Sequence, residues 1–237
     1  MRASSDLRYN EGRISMAERR EEKYLINYSE YSIISNRIKA LLQPDKNGKN
    51  GKYSICSMYF DDVYDTALAE KEDGNAVHIK FRIRTYDGNG DFIRLERKTK
   101  RGIVTEKHSA RITKDELERI ISGAPISEES ECFGLVSEMR AKAFKPAISV
   151  RYDREAYLMP SLGVRVTFDI NIDSLPPDTD TLFGNTKRAL PATDRGQIIM
   201  EIKYSDRCPS FIRKACATNS AQLSVSKYAL CRNAPTI

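Results

Sequence analysis

The residues in this sequence best suited to chemistry are cations set two positions apart. In HIKFRIRTYDGNGDFIRLERKTK, residues 78–100, strand alternation puts His78, Lys80, Arg82, Arg84 and Tyr86 on one side, opposite Ile79, Phe81, Ile83 and Thr85. After DGNGD, the residues Arg94, Glu96, Lys98 and Lys100 share a face opposite Ile93, Leu95, Arg97 and Thr99. Asp, Gly and Asn supply positive φ angles and local hydrogen bonds, so the stretch is expected to form a β-hairpin with one charged face. Similar residues recur as Glu21 with Lys23, Lys107, Arg151, Arg165 with Asp169, and Glu201 with Lys203, giving seven strand-like segments in all.

One charged strand face ordinarily faces water. A solvated sheet tolerates any mixture of Lys, Glu, Thr and Ser, whereas these faces repeatedly set Arg or Lys two residues from a carboxylate. A closed barrel with its charged faces inward accounts for the pattern, its apolar faces lying outside under amphipathic helices. Its lumen would hold about seven cations and several carboxylates, and an unpaired buried charge costs several kcal/mol. Such a lumen calls for a polyanion. Phosphate chains suit it, because they offer only acceptors, match the planar fork of Arg and accept Lys as a point charge. Carboxylates alone would repel phosphate, so their presence implies a divalent cation, Mg²⁺ or Mn²⁺, bridging Glu and phosphate oxygens.

The elements that must position these residues read as an α+β chain. RREEKYLI opens the pattern as a strand, and SEYSIISNRIKALL follows with apolar residues at helical spacing behind a candidate cap, Ser29. YSICSMYFDD is a strand with mixed faces, and DVYDTALAEKEDG a short excursion before the hairpin. GIVTEKHSARI gives another strand, and TKDELERIISG a short helix with Thr113 as N-cap, Glu116 at the capping-box position and Gly123 beyond its end. The segment 126–144 is expected to continue helically as far as Pro146. PAISVRYDREAYL, LGVRVTFDINI and QIIMEIKYS are strands, a Pro-, Asp- and Thr-rich connection spans 174–196, and the C-terminal stretch from Ser210 closes the chain as helices.

Composition narrows the classes. The 237 residues, 40% hydrophobic and 30% charged, suit one globular domain over 18–237 preceded by a polar arm at 1–17. No apolar run approaches the roughly 20 residues that span a bilayer, and the first residues lack the apolar core of a secretory signal, so a cytoplasmic protein is expected. Five cysteines without a CxxC pair disfavour a disulfide framework or a zinc site, and two histidines in strand-like segments leave little for a His-based centre. The net charge of +6 is compatible with an anionic ligand. Tyr86 and Tyr152 are too few aromatics beside the basic faces for RNA binding, so no nucleic-acid partner is expected.

The ordered series RREEKY, SMYFDD, KFRIRTY, RLERKTK, EKHSARI, VRYDREAY, RVTFD, MEIKY and SVSKY resembles the VTC domain, the polyphosphate polymerase module of the triphosphate tunnel metalloenzyme superfamily, across about residues 18 to 232. The resemblance implies a closed tunnel of eight antiparallel strands with helices outside. It implies phosphate-binding roles for Lys23, Arg82, Arg84, Lys98, Lys107, Arg151 and Arg165, and it matches Lys203, Ser226 and Lys227 to the tunnel. Glu201 matches the metal-binding glutamate, with Glu96 and Glu21 as further metal candidates or as salt-bridge partners of neighbouring lysines. Many tunnel hydrolases open with ExExK, whereas here the first of those positions is Arg19, as in VTC domains.

The implied activity is a metal-dependent transfer of the γ-phosphoryl group of ATP onto a polyphosphate chain, catalysed by Lys23, Arg82, Arg84, Lys98, Arg151, Arg165 and Glu201. Hydrolysis of triphosphate or nucleoside triphosphate in the same site is the alternative enzymatic reading. Non-catalytic binding of polyphosphate or inositol polyphosphate is the third. A membrane protein that takes up the product, holding the chain at the inner face of a membrane, would be a separate partner.

Overall fold

The computed structural model describes residues 19–102, 104–185, 188–224 and 226–234, so the expected arm at 1–17 lies outside the described residues. In chain order the elements are β1 (Arg19–Asn27), α1 (Tyr28–Leu41), β2 (Gln43–Pro44), β3 (Lys52–Asp61), α2 (Thr66–Glu72), β4 (Val77–Tyr86), β5 (Asn89–Arg101) and β6 (Val104–Ile112). There follow α3 (Lys114–Ser122), α4 (Phe133–Ala141), β7 (Lys145–Met159), β8 (Val164–Leu175), α5 (Thr179–Leu182), β9 (Leu190–Pro191), β10 (Gln197–Ser205), α6 (Ser210–Ala215) and α7 (Lys227–Arg232).

Local chemistry sets most boundaries. The β4–β5 hairpin turns on Asp87 and Gly88, both at positive φ (51° and 66°), the backbone that an Asp-Gly turn favours. Helix α3 carries the capping box expected of Thr113 and Glu116 and ends at Gly123, which has φ 79°. Helix α1 is capped by Asn27 rather than Ser29, because the Asn27 side chain accepts from Glu30 N while Glu30 accepts from Asn27 N, at 2.9 and 3.1 Å. Helix α4 stops at Ala141, short of the expected end. Ala143 turns at φ 53° and Lys145, which precedes Pro146, is already extended, the conformation a following proline favours.

The strands form one antiparallel sheet in the order β1-β10-β8-β7-β3-β4-β5-β6, with the two-residue strands β2 and β9 attached to β7 and β8. Eight strands thus lie along the main path, but the expected closure into a barrel is not observed. No pairing joins β1 to β6 among the described residues, and the free edge of β1 is taken by the C-terminal segment, with Leu223 N donating to Lys23 O at 2.8 Å and Gln222 bridged to Tyr24. The sheet nevertheless curls until Lys98 on β5 lies within the electrostatic reach of Glu21 and Lys23 on β1.

Both halves of the convex side are apolar and covered by helices. Ile26, Phe168, Met200 and Ile202 pack with Ile34 and Ile38 of α1 and Ile212 of α6. Met58, Phe81, Ile83 and Leu95 pack with Leu117 and Ile120 of α3 and Val136 and Met139 of α4. A third cluster lies on the concave side, where Tyr53, Ile55, Tyr59, Val150, Tyr152 and Ile199 receive Tyr228 and Cys231 from α7. Helix α7 therefore plugs one part of the concavity. Tyr228 stacks on Tyr59 at 5.1 Å and donates to Asp61, while Arg232 binds Asp65 at 2.7 Å. Tyr228→Ala should lower the unfolding free energy in urea by about 3–5 kcal/mol, the usual cost of deleting a fully buried aromatic side chain. A loss below about 1 kcal/mol would mean that α7 is not part of the cooperative core.

Candidate functional site

Strand register decides which side chains meet on the concave face. Lys23 pairs with Glu201, which pairs with Thr167; Glu21 pairs with Lys203, which pairs with Arg165. Arg154 lies opposite Asp169 on the next pair, Arg82 opposite Glu96, and Lys98 opposite both Lys80 and Lys107. The C-terminal segment adds Lys227 and Ser226 from α7 and its cap, with Ser226 Oγ accepting from Lys80 Nζ at 2.9 Å.

Three nearly buried carboxylates organise these cations. Glu96, 2% exposed, accepts from Arg82 Nε at 2.7 Å, lies 3.9 Å from Arg84 Nη1 and contacts Lys107 Nζ. Burial alone would raise its carboxyl pKa, but the charges of Arg82, Arg84 and Lys107 outweigh that and hold it at about 2. Asp169 takes Arg154 in a bidentate fork at 2.7 and 2.8 Å and Lys227 at 2.5 Å. Burial opposes its ionisation too, yet those two cations keep it below the ordinary carboxylate range. Glu201 accepts from Lys203 at 2.6 Å, and Lys203 also reaches Glu21 at 3.4 Å, so one ammonium is shared by two carboxylates. Both carboxyls are shifted down despite burial, Glu201 chiefly by Lys203 and Lys23, Glu21 by Lys203 and Lys23 against the opposing charge of Glu201.

Positive charge remains in excess. Lys23, Lys80, Arg82, Arg84, Lys98, Lys107, Arg154, Arg165, Lys203 and Lys227 meet Glu21, Asp45, Glu96, Asp169 and Glu201, ten cations against five carboxylates in this set, to which the face adds Asp61 under α7 and Arg94 and Arg111 towards its rim. Lys98 has no carboxylate within salt-bridge distance among the described residues, and burial together with Lys23, Lys203 and Arg82 lowers its pKa despite the opposing charge of Glu21. An anion placed there would relieve that repulsion.

The structure brings Lys23, Arg82, Arg84, Lys98, Lys107, Arg165, Glu201, Lys203, Ser226 and Lys227 to one side of the sheet, with Glu21 and Glu96. Arg165 sits towards one end, held by Asp45 at 2.6 Å and by Tyr53 Oη at 2.8 Å. Arg151 is not with them. It pairs with Cys56 on the convex side and binds Asp173 at 2.9 Å, and the concave position three residues along is Arg154. Tyr59 is a further residue the sequence patterning missed. Its hydroxyl accepts from Arg82 Nη1 at 3.2 Å, and although burial raises its pKa, Arg82 and Arg84 bring it down to about 8.

A divalent cation could find oxygen donors at Glu21 and Glu201, two ionised carboxylates on adjacent strands facing the cationic surface. No group of three or more His, Cys, Asp or Glu side chains gathers among the described residues, so the chain builds no complete cage there. The pair still fits the way Mg²⁺ is usually held, by one or two carboxylates together with water and substrate phosphates. Glu96 is the most heavily committed of the three candidates, to three cations, against Lys23 and Lys203 at Glu21 and Lys203 at Glu201.

The family model of the VTC domain matches residues 18–234. The chain belongs to the VTC domain family. No curated protein matches it. Among solved structures this VTC domain is similar to a Hippeastrum protein whose description names a dominant triphosphatase activity, at 15% identity and TM-score 0.56, covering 90% of this chain and 94% of that one. It is also similar to a Pyrococcus horikoshii OT3 protein, at 16% identity and TM-score 0.42, with 84% of each chain covered. The first likeness carries the shared fold.

The depressed Glu96 carboxyl gives a signed pH dependence. Its contribution to stability is fully present above the unfolded value of 4.5 and is lost as the pH falls towards about 2. The unfolding free energy from urea titrations should fall across that window by an amount on the order of 3 kcal/mol from this group. Glu96→Gln should be less stable at pH 7 and show a flatter acid limb, whereas an unchanged limb would remove Glu96 as the central counter-ion.

Proposed function

We propose that this VTC domain is a metal-dependent phosphotransferase that moves the γ-phosphoryl group of ATP onto the end of a polyphosphate chain lying along the concave face. The observation that carries this reading is the excess of cations there, set on strands in a chain of the VTC family. Residues 18–237 act as one unit in this reading. No helix among the described residues is long and apolar enough to cross a membrane. In this reading a membrane protein that takes up product is a separate partner, and the domain works on the cytoplasmic side.

Arg82 and Arg84, rigidly placed by Glu96 and Ser57, present guanidinium groups that match phosphate oxygens, while Lys98, Lys23 and Lys203 add point charges. Arg154 and Lys227, fixed by Asp169, bound the other side of the groove. These residues align donor and acceptor so that a terminal phosphate oxygen of the chain forms the new P–O bond as the bond to ADP breaks. The acceptor oxygen is already anionic, so no general base is needed. A divalent cation held by Glu201 and Glu21, Mn²⁺ or Mg²⁺, would supply further stabilisation of charge on the transferring group. Glu96 serves as positioner of Arg82 and Arg84.

A second reading replaces the chain end with water and yields triphosphatase activity, the dominant activity named for the Hippeastrum protein of the same fold. One assay separates the two. Incubation with ATP and Mn²⁺ should give ADP and polymer resolved on a gel, whereas ADP and free phosphate without polymer would favour hydrolysis. Glu201→Gln should still bind triphosphate calorimetrically but lose turnover by about two or more orders of magnitude. Full turnover in that variant would remove Glu201 from its role, and no turnover in the unaltered protein would leave a binding module.

A further inference from the structure

We infer that Arg94 and Arg111, both stacked on Phe92 at the rim of the concave face, form a second polyanion site that guides a long phosphate chain over the β5–β6 edge. This rests on the reading of the concave face as a phosphate site.

Arg84, Arg94 and Arg111 lie directly opposite one another on β4, β5 and β6, forming a row that leads outward to the end strand of the sheet. Exposure rises along it, from 8% at Arg84 through half-buried Arg94 to exposed Arg111. Like charges directly opposite in a sheet destabilise it, and this row holds two such pairs in succession. The next inward row, Arg82 and Glu96, places a carboxylate against its arginine. The rim row has none. Among the described residues neither Arg94 nor Arg111 forms an ion pair, and each is oriented by a neutral acceptor: Arg94 donates to Ser109 Oγ at 2.6 Å and Arg111 to the Asp91 carbonyl at 2.7 Å. Phe92, 37% exposed, has its ring centre 5.0 and 5.7 Å from the two guanidinium carbons, within cation–π reach of both. Two oriented guanidinium groups without a counter-ion, continuous with the buried arginines, are arranged to receive acceptors strung along one chain. Cross-strand spacing of about 5 Å lets the chain pass from Arg84 to Arg94 to Arg111 without a gap.

The test compares the unaltered protein with an Arg94→Gln/Arg111→Gln double variant, using triphosphate, long-chain polyphosphate and oligouridylate as probes. The double variant should melt no lower than the unaltered protein, since the substitutions remove opposed like charges at the rim and leave the core untouched. The double variant should bind triphosphate within about twofold of normal, bind long-chain polyphosphate about tenfold more weakly, and show a salt dependence shallower by about two counterions. Equal weakening for triphosphate and the long chain would place both arginines in the buried site and overturn the inference. Unchanged binding of both would reduce them to protection of a sheet edge, with the same consequence. A loss confined to oligouridylate would assign the patch to nucleic acid instead. Failure of the unaltered protein to bind triphosphate would sink the reading of the concave face, a result distinct from all three.

Discussion

Crowding of like charge on one curved sheet face is the constraint on which this structure depends. Ten cations could not share that surface without counter-ions, and Glu96, Asp169 and Glu201 supply them from nearly buried positions, each holding at least one guanidinium or ammonium group in direct contact. Ion pairs so sheltered are not a source of great net stability, since desolvation offsets much of their attraction. Their effect is geometric. They fix where the guanidinium groups of Arg82, Arg84 and Arg154 lie before any ligand arrives, and even with Glu21 and Asp45 added the carboxylates number half the cations.

The remainder of the architecture accommodates that choice. A sheet with a charged concavity has to bury its apolar faces on the convex side, which is where α1, α3, α4 and α6 pack. Helix α7 closes part of the concavity with Tyr228 and Cys231. The same helix delivers Lys227 to Asp169 while its cap, Ser226, meets Lys80. The last element of the chain therefore completes both a hydrophobic cluster and the wall of the groove. Its preceding residues also occupy the edge of β1 that a closed barrel would have paired with β6.

Much of this was legible from alternation alone. The hairpin, the caps of α3 and the common side of Arg82, Arg84, Glu96 and Lys98 follow from period two and from turn chemistry. Arg151 misled because the convex face of β7 carries Asp153 and Glu155 and is the more charged of the two, while the concave face holds Val150, Tyr152 and Ala156 against α7. A rule that sends the more charged face inward fails on a strand whose inner face carries one charge, Arg154, among apolar residues. Tyr59 was hidden for a related reason: β3 is buried on both sides, so its alternation gives no direction. Closure depends on pairing between the first strand and β6, and on the competition of residues 222 and 223 for that edge, a tertiary outcome that no local pattern encodes. Ser29 lost the cap of α1 to Asn27 because Glu30 stands three residues after Asn27, which satisfies both partners of the box.

The central claim is that the excess positive charge of the concave face is a preformed seat for a chain of phosphates. The most direct measurement is the melting temperature in equal concentrations of orthophosphate, pyrophosphate and triphosphate, at fixed ionic strength. Ligands that bind only the native state stabilise it in proportion to their affinity, so the melting temperature should climb along the series, with triphosphate raising it most. A flat response, or one that follows ionic strength rather than chain length, would contradict the account.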